Sequence, residues 1–120
     1  MKQIIKTSLF VVAVLCTLSL SANETAKKKV TTLEFKVSGV CQMCEKRIEE
    51  AALIKGVKLA QWDKKKQKIK VIYRPDKTDE LSIHKAIAKA GHDTQKVKAT
   101  DEAYQKLHDC CKYREGQAIH

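Results

Sequence analysis

Cys41-Gln42-Met43-Cys44 places two thiols two residues apart, between a strand-like run, Leu33 to Val37, and a helix-like run, Glu45 to Leu53. Thiols so spaced at a loop-to-helix junction can converge on one soft metal ion or close into one disulfide. The positive end of a helix dipole stabilises thiolate, the form that both metal binding and thiol exchange require. A second pair, Cys110-Cys111, follows His108 in a C-terminal tail. Adjacent cysteines joined to each other would close a strained eight-membered ring, so the two are expected to have separate fates. Three readings of the tail stay open. It folds back and adds sulfurs to the Cys41/Cys44 pair, or it makes a second soft-metal site with His108, or it forms structural disulfides as exported proteins do.

Export is read from the first residues. Lys2 and Lys6 precede an apolar or small stretch from Thr7 to Leu20, and Ser19-Leu20-Ser21-Ala22 offers small residues for cleavage. This is the layout of a signal peptide over residues 1–22, and it is too short for a comfortable membrane span. Lipid attachment at Cys16 is disfavoured by Leu15, a bulky residue where a small one is needed. The mature chain then keeps four cysteines, is not membrane-spanning, and belongs in the periplasm or the medium. Loss of Lys2 and Lys6 takes the net charge from +10 to +8. Lys27-Lys28-Lys29 and Lys64-Lys65-Lys66 supply much of it, as solvated surface or as a face for an acidic partner. Aromatic residues do not interleave with these lysines, which excludes a nucleic-acid reading. No Ser/His/Asp set, phosphate loop or supported carboxylate pair is present, so an enzyme is not expected.

About 98 residues make one small domain with one thin core. Asn23 to Val30 is a polar lead-in (23–30). Leu33, Phe35 and Val37 alternate with Glu34 and Lys36 as a half-buried strand. Ile48, Ala51 and Ala52 recur at helical spacing until Lys55-Gly56 ends the helix. Val57 to Trp62 and Ile69 to Tyr73 read as a hairpin around a charged turn. Thr78 or Asp79 caps a second helix with Leu81, Ile83, His84, Ile87 and Ala88 on or near its buried stripe, and Gly91 closes it. A short fourth strand is expected around Val97, then a short helical tail over residues 100–120. The order predicts an α+β, ferredoxin-like βαββαβ sandwich, two helices on a four-stranded antiparallel sheet.

Residues 31–99 resemble the heavy-metal-associated domain family of copper chaperones, P-type ATPase metal domains and periplasmic mercury-binding proteins. The likeness rests on Val37-Ser38-Gly39-Val40-Cys41-Gln42-Met43-Cys44, Arg47-Ile48-Glu49, Lys55-Gly56-Val57 and Ala86 to His92. It implies that Cys41 and Cys44 are the metal ligands. Family members typically carry Met two residues before the first cysteine, packed under the metal loop. Gly39 stands there in this chain, with Met43 as the candidate substitute anchor. The family also brings a side chain near the metal from the loop after the second helix. His92 holds that place and is a candidate third ligand, with Cys110, Cys111 and His108 as further candidates. His84, mid-helix, is expected at the surface or core edge.

Two thiolates select soft ions, Cu(I) first, with Hg(II), Zn(II) or Cd(II) behind it. Zinc normally takes four ligands, which a lone CxxC does not supply. An open two-coordinate loop lets a partner's sulfur arrive before the first one leaves, so the expected role is a metallochaperone. Its partners would be a metal donor or acceptor protein, including a membrane metal transporter. Two rivals use the same residues, a thiol–disulfide oxidoreductase and a metal-sensing accessory module. The short chain, Gln42-Met43 between the cysteines, and Pro75 in a charged turn argue against the thioredoxin arrangement.

Overall fold

The computed structural model describes residues 29–120. The expected signal peptide with its Cys16, and most of the lead-in, lie outside these described residues. Strand β1 (Thr31–Lys36) alternates as read, with Phe35 buried between exposed Glu34 and Lys36. Helix α1 (Gln42–Ala52) buries Cys44, Ile48 and Ala52, one stripe at helical spacing. Strands β2 (Val57–Asp63) and β3 (Lys68–Tyr73) form an antiparallel hairpin with an irregularity between Val57 and Leu59. Asp63 accepts the Lys66 N–H at 3.0 Å in the turn, and Gln67 leaves it with φ at +56°. Helix α2 (Glu80–Lys89) starts at Asp79, whose carboxylate accepts the Ser82 N–H at 2.8 Å.

The three strands run in the order β1-β3-β2, and β1 meets β3 antiparallel with Phe35 opposite Ile69. Inward residues of all three strands (Phe35, Trp62, Ile69, Val71) join Ile48 and Ala52 of α1 and Ile83 and Ile87 of α2 in one core. This is the ferredoxin-like sandwich of the sequence reading. Its expected fourth strand is present as a single antiparallel bridge, Val37 to Thr94, beside the outer edge of β1. Thr94 instead closes a tight turn on Val97, which accepts both its N–H and its hydroxyl, and that turn takes the segment out of the ladder. Leu81, expected on the buried stripe, is 46% exposed, because α2 turns Ile83, His84 and Ile87 inward instead.

The tail is part of the same body. Thr100 caps α3 (Asp101–Gln105), and two short 3-10 turns follow, Asp109–Cys111 and Tyr113–Glu115. Tyr104, Leu107 and Cys111 enter the common core. Gly91, at φ +108°, makes this docking feasible in two ways. A side chain there would be strained by the left-handed backbone, and its Cβ would lie 2.9 Å from the Ala103 carbonyl and from Leu107.

Candidate metal centre

Cys41 is the N-cap of α1 and Cys44 sits in its first turn, so the helix's own geometry aims both sulfurs at one point. Their Sγ atoms are 3.2 Å apart. The tail brings Cys111 Sγ to 3.1 Å from Cys41, and the three sulfurs lie within 4.8 Å of one another. All three are buried, with Cys44 and Cys111 fully so, and all are free thiols. Cys110 is half-buried at the rim, 3.9 Å from Cys41, 4.0 Å from Cys111 and 3.8 Å from the Met43 sulfur. The tail folds back onto the CxxC and brings both of its sulfurs within 4 Å of Cys41.

The thiols are unequal. Burial opposes ionisation of Cys41, but hydrogen bonds from Cys111 and Cys44, then Cys110, outweigh it and bring the pKa down to about 7. Burial pushes Cys44 up. Cys111 is raised furthest, by burial and then by its two sulfur neighbours. One thiolate shared among three sulfurs, centred on Cys41 at the helix N-terminus, is the arrangement this favours.

The other expected ligands are elsewhere. His92 is fully buried but lies outside the cluster of converging sulfurs. Its Nδ1–H donates to the Ser38 carbonyl at 2.8 Å, and its ring stacks on Tyr113 at 5.5 Å between centroids. Burial takes its pKa down to about 4, so the ring is neutral near pH 7. It ties the cysteine loop to the tail. His108 is exposed, and its carbonyl accepts the Cys111 N–H. His84, expected at the edge, is in the core, stacked on Phe35 at 3.8 Å with Nδ1 2.6 Å from the Thr94 hydroxyl.

Met43 is not the loop's anchor, being 47% exposed. Trp62 is. Its ring fills the space beside Gly39, its indole N–H donates to the Val37 carbonyl at 3.0 Å, and its backbone N–H reaches the Glu49 carboxylate at 2.8 Å. Gln67 adds a second tie, accepting the Val37 N–H through its carbonyl and the Gly39 N–H through its side chain. The tail is held by Arg114, which forks onto Asp93 at 2.7 and 3.3 Å and reaches Asp101 and the Ala99 carbonyl. Tyr113 donates to the Gly91 carbonyl at 2.8 Å. Sequence reasoning missed Trp62, Gln67, Tyr113 and Arg114. One signal was available for the tail, since Tyr104, Leu107 and Cys111 recur at helical spacing.

The heavy-metal-associated domain family matches residues 34–93. No curated protein sequence matches the chain. Among solved structures, a CopZ metallochaperone is 26% identical, with a TM-score of 0.52 over 53% of this chain and 98% of its own. The N-terminal domain of a potential copper-translocating P-type ATPase from Bacillus subtilis, in the Cu(I)-loaded state, is 28% identical. It gives a TM-score of 0.53 over 61% of this chain and 94% of its own. Oxidized MerP from Ralstonia metallidurans CH34, 23% identical, shares the fold at a TM-score of 0.53 over 56% of this chain and 96% of its own.

Proposed function

The chain belongs to the heavy-metal-associated domain family, and from that premise we propose that it is an exported carrier of a soft metal ion. Cu(I) is the foremost cargo, ahead of Hg(II) and then Zn(II) or Cd(II). Cys41 and Cys44 hold it as thiolates and pass it to a partner by exchange of sulfur ligands. The observation that carries this reading is the convergence of two buried thiols, 3.2 Å apart, on the N-terminus of α1. Two thiolates on a univalent ion leave one net negative charge. The helix end, equivalent to about half a positive charge, offsets part of it. Family membership and the printed descriptions of the copper-protein neighbours support the same cargo.

The partner is a metal donor or acceptor, with a membrane metal transporter the leading choice, given the ATPase domain among the structural neighbours. Lys65 and Lys66 are exposed for docking an acidic face. Among the described residues no helix is long and apolar enough to cross a membrane. Export rests on residues 1–22 and is checked by cell fractionation, the protein being expected outside the cytoplasm and shortened by the signal.

Anaerobic titration of the reduced protein with Cu(I), with Hg(II) and Zn(II) as comparators, tests the cargo. Tight one-to-one Cu(I) binding is expected, lost in Cys41→Ser/Cys44→Ser. Undiminished binding in that double variant sinks the assignment. The rival, thiol–disulfide exchange, draws on the Cys41 pKa of about 7 and the same short sulfur distance. Catalytic turnover in a disulfide reductase or oxidase assay would favour it over carriage.

A further inference from the structure

We propose that Cys41, Cys44 and Cys111 together form a three-sulfur site for a trivalent thiophilic ion of the arsenite or antimonite type. The proposal deepens the soft-metal reading of the CxxC and rests on it. The third sulfur comes from outside residues 34–93, the span that matches the family.

Geometry is the first support. At metal–thiolate bonds of about 2.3 Å, a linear two-coordinate ion holds its sulfurs about 4.6 Å apart, and a flat three-coordinate ion about 4.0 Å apart. A pyramidal ion with bond angles near a right angle holds them at about 3.3 Å with bonds of that length. Cys41 Sγ lies 3.2 Å from Cys44 Sγ and 3.1 Å from Cys111 Sγ. Both separations from Cys41 match the pyramidal case, and the third edge, Cys44 to Cys111, lies within 4.8 Å, so the three sulfurs close on one point.

Charge is the second support. The site is buried, with Cys41 4% exposed and Cys44 and Cys111 fully covered. Three thiolates around a univalent ion would bury two net negative charges, and around a divalent ion one. Uncompensated buried charge is expensive. Lys112 is the buried lysine among the described residues, and its ammonium is spent on the Gln105 carbonyl and side-chain oxygen. A trivalent ion gives a neutral complex. Arsenous acid loads without redox chemistry. Three S–H and three As–OH bonds break, three As–S bonds form, and three waters leave with the three thiol protons. From three thiols no net proton is released, and where Cys41 starts as the thiolate one proton is taken up from solvent.

Rigidity is the third support. Cys111 is carried on an arm fixed by the Arg114–Asp93 fork, the Tyr113–Gly91 hydrogen bond and the packing of Tyr104 and Leu107. His120 N–H also donates to the Val40 carbonyl at 2.7 Å, next to Cys41. The third sulfur is held in place before any ion arrives, which removes an ordering cost from binding.

The test titrates the reduced full chain with arsenite, read by native mass spectrometry and by arsenic X-ray absorption. The expected result is one arsenic per chain, three hydrogens lost, and three sulfurs around it. Cys111→Ser should weaken arsenite binding about a hundredfold, the scale of one ligand bond in a thiolate site, while it still binds Cu(I) and keeps its circular dichroism. Cys110→Ser should bind arsenite as the parent does. Arsenite binding that survives in Cys111→Ser, or is lost in Cys110→Ser alone, overturns the assignment, as does failure of the parent chain to bind. Cu(I) binding by Cys41→Ser/Cys44→Ser would instead strike at the carrier reading, so the two failures are told apart.

Discussion

Gly39→Ala isolates the device that shapes the cysteine loop. A Cβ at this position would lie 2.9 Å from Trp62 Cη2, 3.0 Å from Cζ2 and 3.1 Å from the Cys44 Cβ. All three are tighter than ordinary contacts, and none of the neighbours is a free side-chain end, because the indole is fixed by its bond to the Val37 carbonyl. Overpacking of this kind costs about 1–3 kcal/mol. Gly39 is not among the residues with positive φ, so alanine suits the backbone and recovers about 0.4–1 kcal/mol from the unfolded chain. The net expectation is a loss of about 1–2 kcal/mol. For a domain of this size, that is a fall in Tm of about 5–15 °C, at roughly 4–8 °C per kcal/mol. Thermal and urea unfolding of the reduced, metal-free protein measure it. Trp62→Phe removes the two ring atoms that the new Cβ meets. In that background only the 3.1 Å contact with the Cys44 Cβ remains, and Gly39→Ala should cost about 1 kcal/mol less than in the parent. Equal losses in both backgrounds would refute the claim that Gly39 is small to admit Trp62.

The remaining predictions concern pH, the tail and a helix cap. His92 has its folded pKa depressed from 6.5 to about 4, so its contribution is fully present above pH 6.5 and is lost as pH falls from 6.5 through 4. That amounts to about 3 kcal/mol, and His92→Phe should flatten this part of the curve in urea melts taken between pH 7 and 4. Arg114→Gln leaves Asp93 without its cation and should destabilise the chain by about 1–2 kcal/mol, with faster labelling of Cys111 by a small alkylating reagent. Asp93 is held below the usual carboxylate range, where burial opposes its charge but the Arg114 hydrogen bond and the Ala99 N–H prevail. Its stabilising share is therefore present above the ordinary carboxylate pKa and is lost as pH falls through the lower folded value. Asp79→Ala removes the α2 cap and should cost about 1 kcal/mol, leaving Cu(I) affinity unchanged.

Much of the fold was legible because its signals are local. The alternation of Leu33 to Val37, the stripe of Ile48 and Ala52, Asp79 as cap and Gly91 as stop each act over one or two turns of chain. The placement of the CxxC was legible for the same reason, since its four residues lie at a helix start. What failed depended on distant partners. Trp62 anchors Gly39 from 23 positions away, and neither residue carries a mark of the other. Thr94 reads as a strand residue until its turn on Val97 is seen. His92 sits where the family supplies a side chain to the metal, but Tyr113 from the tail claims its ring. The tail's return was one of three open readings. The sequence beyond residue 22 holds four of the five thiols, and it takes Gly91, Arg114 and Tyr113 in three dimensions to bring the tail back to the first pair.

Cys111 stands 70 positions after Cys41, the thiol it approaches. A chain emerging from its N-terminus therefore presents Cys41 and Cys44 first, as a two-sulfur pair that Cys111 does not yet cover. At roughly 5–20 residues per second the covering sulfur arrives about 4–14 s later. During that interval the pair can meet an oxidant, or an ion that prefers two sulfurs, before the third is there to compete. The order in which the sulfurs are synthesised thus sets an order of chemistries open to the nascent protein, from two-coordinate to three, that the finished fold no longer displays.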